Sequence, residues 1–417
     1  MIELKKRSKP LDKKSDIISS FSVLPKSREW PTKAIPWLRS KRIAFVPVYR
    51  PRAIPPDQIP NDWENLILNR VLYNPRPEAN GADRSLRAWL RTVSSGRADI
   101  DPFVVPMQTI DKQDVPPYEF ESTLGQPLRN QGADAAILIM LGGKGAGTNS
   151  GFWSRAVMAE SNGVWLMELI HGLTGFKDLY SFTNDVDPAD RDIGYFDQMS
   201  AASQTHPTVF TKKELGWIDG SAIKHHFRGT ADYTIQFASL PQPPSEGRVA
   251  AVHVGDDFPY VIVEARKKTD QFETGMPSTN DGQEKGIQSE GVIAYRVQTL
   301  DPTGPRADRK KPLYLITRIA CQPGHGAELD NGVRLRVNSL GPDSFTVRIT
   351  SPDVVTVPSV LGADSRNARR AIMNAGLGPR FTGPMTNSEV GMQTPEGGDV
   401  VPRHTIVRMT MIKSEEF

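Results

Sequence analysis

The stretch Val164-Trp165-Leu166-Met167-Glu168-Leu169-Ile170-His171 decides how the rest of the chain is read. Its apolar residues predict a buried helix, and Glu168 and His171, three positions apart, fall on one face of it. Two histidines four residues apart around a glutamate, H-E-x-x-H, grip zinc from one helical face while the glutamate activates the metal-bound water. Here Met167 stands where the first histidine of that pattern belongs, and only Glu168 and His171 remain. A neutral thioether is a poor donor to zinc, which in a catalytic site takes three nitrogen or oxygen ligands and keeps one position open for water.

Outward from this helix the chain divides by composition. Residues 1–40 are rich in Lys, Ser and Pro with sparse apolar positions, and read as an extended arm or flexible leader. Arg42-Ile43-Ala44-Phe45-Val46-Pro47-Val48-Tyr49 predicts a first strand, with Pro47 favouring a sheet edge or a strand end. Ser85 to Val93 has helical spacing, with Leu86, Trp89, Leu90 and Val93 on one stripe, and the apolar run Ala135 to Leu141 reads as a buried strand. After Trp217, runs such as Tyr233–Phe237, Tyr260–Glu264, Gly291–Val297 and Ser344–Ile349 recur between turn-rich gaps, the pattern of a β-sandwich. Beyond Pro352 a different layout begins: a strand, a helix at about 364–375, and two strands ending near Ile412. There the apolar helical face Ala368, Ala371, Ile372 and Ala375 is expected to pack on a small sheet whose final strand alternates Ile406, Arg408, Thr410 and Ile412.

The segment from Phe152 to Trp217 resembles the immune-inhibitor-A-like metallopeptidases, zincins with a methionine turn. Met167-Glu168-Leu169-Ile170-His171-Gly172-Leu173-Thr174-Gly175-Phe176-Lys177-Asp178-Leu179-Tyr180 carries the resemblance, with Phe196-Asp197-Gln198-Met199-Ser200 and Glu214-Leu215-Gly216-Trp217-Ile218. Upstream, Ala82 to Trp89 and Val93 to Arg97 look like a helix and turn of the same family, so the similarity spans about 41–220. The resemblance implies that His171 is the second zinc histidine, Glu168 the general base, Asp178 the third ligand after a glycine turn, and Met199 the methionine under the site. Met167 at the lost ligand position implies weak zinc binding and a pseudo-protease that binds or scaffolds polypeptide in its cleft. Two alternatives stand beside that reading. One is an active zinc peptidase with His206 or a water completing the shell; the other is a structural component of an exported bacterial assembly attached through residues 1–40.

Val357-Pro358-Ser359-Val360-Leu361-Gly362, Ala368 to Leu377, Met392 to Gly398 and Thr405 to Ile412 together resemble a PASTA domain. That family occurs on bacterial cell-wall kinases and penicillin-binding proteins, so the resemblance implies a docking or spacing element for a protein partner, or a binder of peptidoglycan fragments. The fold expected for the whole chain is multidomain α+β: a zincin-like metallopeptidase domain at 41–220, an all-β sandwich at 221–352 and a small α/β PASTA-like domain at 353–417.

Other clusters carry weaker signals. His206, after the methionine turn, reads either as a residue lining the cleft or as a solvent-facing loop histidine. Asp185, Asp187, Asp190 and Asp192 form an acidic loop open to calcium, though without the glycine and terminal glutamate of an EF-hand. Gly142 to Thr148 lacks the closing Gly-Lys-Ser/Thr of a phosphate loop and reads as a flexible cleft edge.

The 417 residues suggest roughly two to four domains. A formal charge of +3, from 51 basic and 48 acidic side chains, argues against nucleic acid as the main partner. Cys321, the single cysteine, excludes an internal disulfide and a cysteine-based zinc site. No apolar run reaches the roughly eighteen residues of a membrane span, and the basic N-terminus lacks the apolar segment of a secretory signal. The expectation is a cytoplasmic location or export by a non-standard route.

Overall fold

The computed structural model of the protein describes residues 34–76, 80–142, 147–148, 151–180, 193–255, 259–276, 284–298, 313–317 and 319–413. Packing begins before residue 40. Ala34 and Trp37 are buried, the Trp37 backbone N–H donates to Leu215, and Trp217 Nε1 donates to the Trp37 carbonyl. The end of the expected arm is therefore part of the core.

A parallel sheet organises the first half of the molecule. Its strands are β1 (Arg39–Tyr49), β4 (Ala98–Val104), β5 (Gln108–Thr109), β6 (Ala135–Met140), β7 (Gly147–Thr148) and β8 (Trp153–Val157). They run in the order β4-β1-β6-β8-β7, with β5 continuing beside β1; only β7 is antiparallel. A two-residue ladder, β2 (Pro75–Arg76) with β3 (Ala82–Asp83), lies outside this sheet. β1 alternates strictly: Ile43 and Phe45 face one core, and Ala44, Val46 and Val48 face the other. Helices α1 (Trp63–Leu72), α2 (Leu86–Val93) and α4 (Asn162–Thr174) cover the first face, and the short α3 (Gln126–Asn130) with the chain around Phe120–Leu124 covers the second. Ser85 caps α2 through its hydroxyl, and Leu86, Trp89, Leu90 and Val93 are all buried, as the stripe predicts.

Of the two places expected for Pro47 the sheet edge is corrected, because β1 is central; Pro47 lies two residues from the end of the strand at Tyr49. Along β1 the even-numbered residues bond toward β6 and the odd-numbered ones toward β4 and β5, as the acceptors Arg42 and Val48 on one side and Phe45 and Tyr49 on the other show. β1 pairs with β4 as far as Phe45 and with β5 only from Val48. The missing N–H of Pro47 thus points into the gap between two short partners, where no ladder bond is lost.

After α5 (Gln198–Ala201) and α6 (Val209–Glu214) come two further sheets. One contains β9 (Ile223–His226), β11 (Ala251–Val254), β12 (Tyr260–Arg266), β13 (Gly291–Val297) and β14 (Leu313–Leu315), in the order β14-β13-β12-β11-β9. The other, fully antiparallel, contains β10 (Thr230–Gln236), β15 (Gly326–Glu328), β16 (Arg334–Leu340) and β17 (Ser344–Thr350). The short α7 (Gln271–Thr274) follows β12. The five-stranded sheet serves two cores. Val261, Val263, Val292 and Ala294 pack toward the four-stranded sheet, whereas Ile262, Ile293, Tyr295 and Val297 join the core beneath the parallel sheet. That core therefore runs without interruption across residue 220.

The last unit has its own core. Helix α8 (Ser365–Asn374), capped by Asp364, lies on a sheet of β19 (Gly378–Thr382), β22 (Ile406–Lys413) and β20 (Ser388–Thr394), while β18 (Val354–Thr356) pairs with β21 (Val400–Pro402). The expected β22 face is corrected here: Val407, Met409 and Met411 point inward, and Ile406 and Ile412 are exposed with Arg408 and Thr410. The fold as a whole is mixed α/β, with a parallel sheet and several antiparallel ones.

Candidate functional site

Helix α4 carries the candidate centre. Ser161 caps its start by accepting from the Val164 N–H, and Gly175, at φ +71°, ends it in the left-handed conformation that glycine adopts without strain. Gly163 allows the helix to meet the methionine turn at contact distance: a Cβ there would lie 1.8 Å from the Ala202 carbonyl oxygen. From the other side, Gln198 Nε2 donates to the Gly163 carbonyl at 2.6 Å.

Met167, Glu168 and His171 are all buried, at 6–7% exposure. The turn at Gly175 brings the chain back over His171, whose Nδ1–H donates to the Phe176 carbonyl at 2.6 Å. Its Nε2 faces Asp178 Oδ1 at 2.9 Å. Burial alone would lower the imidazole pKa, but the hydrogen bond and charge of Asp178, with Glu168 and the Phe176 carbonyl, turn the net shift upward. Both ring nitrogens of His171 face oxygen acceptors, so Nε2 and the Asp178 carboxyl share a proton in this geometry. Met199 lies beneath, fully buried, and its carbonyl accepts from the Leu179 N–H at 2.9 Å, pinning the residue next to Asp178.

Asp197 positions that methionine. Its buried carboxylate accepts from the Met199 N–H, the Thr208 N–H and the hydroxyls of Thr208 and Thr211, at 2.6–2.8 Å. Desolvation raises its pKa against these four donors. The sequence reading placed Asp197 within the motif and gave it no role; D-x-M followed by T-x-x-T would have been the signal.

His206 takes neither of the places expected for it. It is 1% exposed, with Nε2–H donating to Asp270 at 2.6 Å and Nδ1 accepting from Lys212 at 3.1 Å. An ammonium has no lone pair to offer, so the imidazole is neutral with its proton on Nε2. Burial drives its pKa down to about 4 against the pull of Asp270. Around it, Arg266 donates to Glu264 and Glu273 and to the carbonyls of Phe196 and His206, and Tyr295 donates to Glu264. This cluster ties the five-stranded sheet to the segment Phe196–His206 around Met199. The sequence reading missed it, although Glu264 and Arg266 in the otherwise apolar run Tyr260–Arg266 were the available signal. Asp185, Asp187, Asp190 and Asp192, and the middle of the Gly142–Thr148 stretch, lie outside the described residues.

Two ligands on one tetrahedral zinc lie about 3.3 Å apart given ordinary bond lengths, and His171 Nε2 and Asp178 Oδ1 stand closer, at the hydrogen-bond distance of 2.9 Å. Met167 offers a thioether from the same helix, and among the described residues no group of three or more His, Cys, Asp or Glu side chains is arranged to hold a metal ion. No protein-family model matches the chain, and no curated protein matches it.

Proposed function

We propose that this chain is a metallopeptidase-like protein with a degenerate metal centre, whose cleft binds polypeptide without cutting it. The observation that carries the reading is the buried Met167 on the same helix as Glu168 and His171, with Asp178 turned back onto His171. Glu168 and His171 keep the spacing of a general base and a ligand, while the position one turn before His171 offers sulfur. Losing a nitrogen ligand weakens zinc by several kcal/mol, and the His171 proton must also leave before the metal enters. The neighbourhood suits an extended chain: β7 ends the parallel sheet beside α4 as a two-residue edge strand, the kind of edge to which a peptide adds by backbone pairing. Residues 354–413, with their separate core, serve as the docking element of the same protein, for a protein partner or a peptidoglycan fragment.

Metal analysis of protein purified without chelators tests the reading, together with incubation of an unfolded substrate protein. The expected result is substoichiometric zinc, saturable binding of the substrate and no cleavage, with zinc content rising sharply in Met167→His. A full equivalent of zinc in the wild type, with cleavage abolished by Glu168→Gln, would replace this reading with that of a working peptidase. For the docking element, titration with muropeptides that leaves the amide shifts of residues 354–413 unmoved removes the peptidoglycan half of the proposal.

A further inference from the structure

The three-stranded sheet of the last unit has a covered side and an open one. Helix α8 lies on the first, against Val407, Met409 and Met411 of β22. Alternation along the strand turns Ile406, Arg408, Thr410 and Ile412 to the second, and all four are exposed. In the parallel ladder with β19, Arg380 stands directly beside Arg408 and Thr382 directly beside Thr410. On the antiparallel side Thr394 is the neighbour of Arg408, and Met392 that of Thr410. A band of two guanidiniums and three hydroxyls therefore crosses the open face. Ile406 and Ile412 flank it, each lying over a glycine: a Cβ on Gly378 would come within 2.6 Å of Ile406 Cδ1, and one on Gly391 within 2.8 Å of Ile412 Cδ1.

Like charges facing one another across a ladder repel, and neighbouring strands are only about 4.8 Å apart. Another pair of facing arginines, Arg336 and Arg348, has its counter-ion in place, since Asp232 takes both Nε and Nη2 of Arg348 at 2.8 Å. Among the described residues neither Arg380 nor Arg408 has a carboxylate at ion-pair distance, although Arg403 of the same unit pairs with Asp353. Here the neutralising charge has to come from outside. A second copy does not supply it, because a two-fold contact through this face sets the arginine pair against itself. Bases of a nucleic-acid strand stack on aromatic rings, and the Phe381 ring is turned to the core beneath Arg369. A small inorganic anion would leave Ile406, Ile412 and Met392 uncovered, at 51%, 47% and 66% exposure. We infer that this face docks an acidic segment of a protein partner, with carboxylates on Arg380 and Arg408 and apolar side chains on Ile406, Ile412 and Met392. The inference rests on the reading of residues 354–413 as a docking element and is independent of the metal position at Met167.

The test is fluorescence anisotropy of a labelled short peptide alternating glutamate and leucine, titrated with the full chain, beside the same peptide with lysine for glutamate and beside a muropeptide. Saturable binding of the glutamate peptide is expected, falling as salt is raised, and weakened about tenfold or more when Arg380→Gln and Arg408→Gln are combined. The same double variant should leave the unfolding midpoint unchanged or raised, since it removes a repulsion. Thr394→Glu gives Arg408 a carboxylate across the ladder, and is expected to weaken the peptide without loss of stability. That variant decides the matter if the double one fails to fold. Absence of saturable binding of the glutamate peptide, equal binding of the lysine peptide, or an affinity unmoved in both variants would each overturn the inference. Muropeptide binding without peptide binding would overturn it too, and would leave the docking reading standing on its peptidoglycan half.

Discussion

Two buried clusters of charge adjoin the segment around Met199, and they are built differently. Around Arg266, the guanidinium and its carboxylate partners Glu264 and Glu273 are wholly enclosed, and Tyr295, Asp270, His206 and Lys212 extend the network. At α4 the set is smaller: the His171 imidazole, the carboxyls of Glu168 and Asp178, the latter with its side chain 20% exposed, and the Met167 thioether on the same helix. The contrast separates charge that holds two layers together from a sparse, partly exposed set that does not. A closed network resists substitution at every member, whereas a sparse one tolerates change at an apolar neighbour such as Met167.

Arg266→Met puts the greatest strain on that contrast. It leaves Glu264 and Glu273 buried without their cation, and chemical denaturation should show a loss of about 3–5 kcal/mol. An unchanged midpoint would mean that the network does not hold the layers together. Asp197→Ala should follow at about 2–3 kcal/mol, because several buried donors lose their acceptor at once.

Acidity distinguishes the clusters further. The unfolded chain protonates His206 near its ordinary 6.5, but the folded protein does so only near 4. A depressed base costs stability as pH falls through that window. Glu273, pushed up to about 7 by burial, works in the opposite sense, taking a proton in the folded state before the unfolded chain does. His206→Gln removes the first effect alone. Its stability should therefore gain on the wild type as pH falls from 6.5 toward 4, by at most about 1.4 kcal/mol per pH unit. Parallel stability–pH curves for the two proteins would contradict this assignment.

Met167→Leu, which keeps volume and removes only sulfur, should cost less than about 1.5 kcal/mol and leave polypeptide binding unchanged. A larger loss would show that the thioether has a partner of its own. Smallest of all, ending the chain after Pro352 should leave the unfolding midpoint of the remainder where it was, since Val357, Ile372, Val407 and Met409 belong to a core of their own.

What the sequence made legible was local. The stripe Leu86, Trp89, Leu90 and Val93 and the apolar runs of β6 and β13 each report a pattern that burial enforces, and each element formed where the pattern put it. The meeting of Asp178 with His171 was implied only through the family resemblance, which put both at one site; they stand seven positions apart across the Gly175 cap. The placing of Pro47 was not legible, since it depends on where β4 stops and β5 begins, some sixty residues away. Nor were the partners of His206, because Asp270 lies sixty-four positions downstream and no spacing rule links them. The inward face of β22 was misjudged against a signal already in the sequence: Arg408 and Thr410 mark the face with Ile406 and Ile412 as outward, whereas Val407, Met409 and Met411 form the apolar one.

The five-stranded sheet has one last consequence. Because Val261 and Val263 point one way while Ile262 and Tyr295 point the other, neither surface of β12 and β13 is left to water. Such a layer cannot drift in composition as an outer sheet can, nor be swapped as a cassette between relatives. Any homologue that keeps the helix of Glu168 and His171 should keep this sheet with it, while the final sixty residues are free to be lost, duplicated or exchanged.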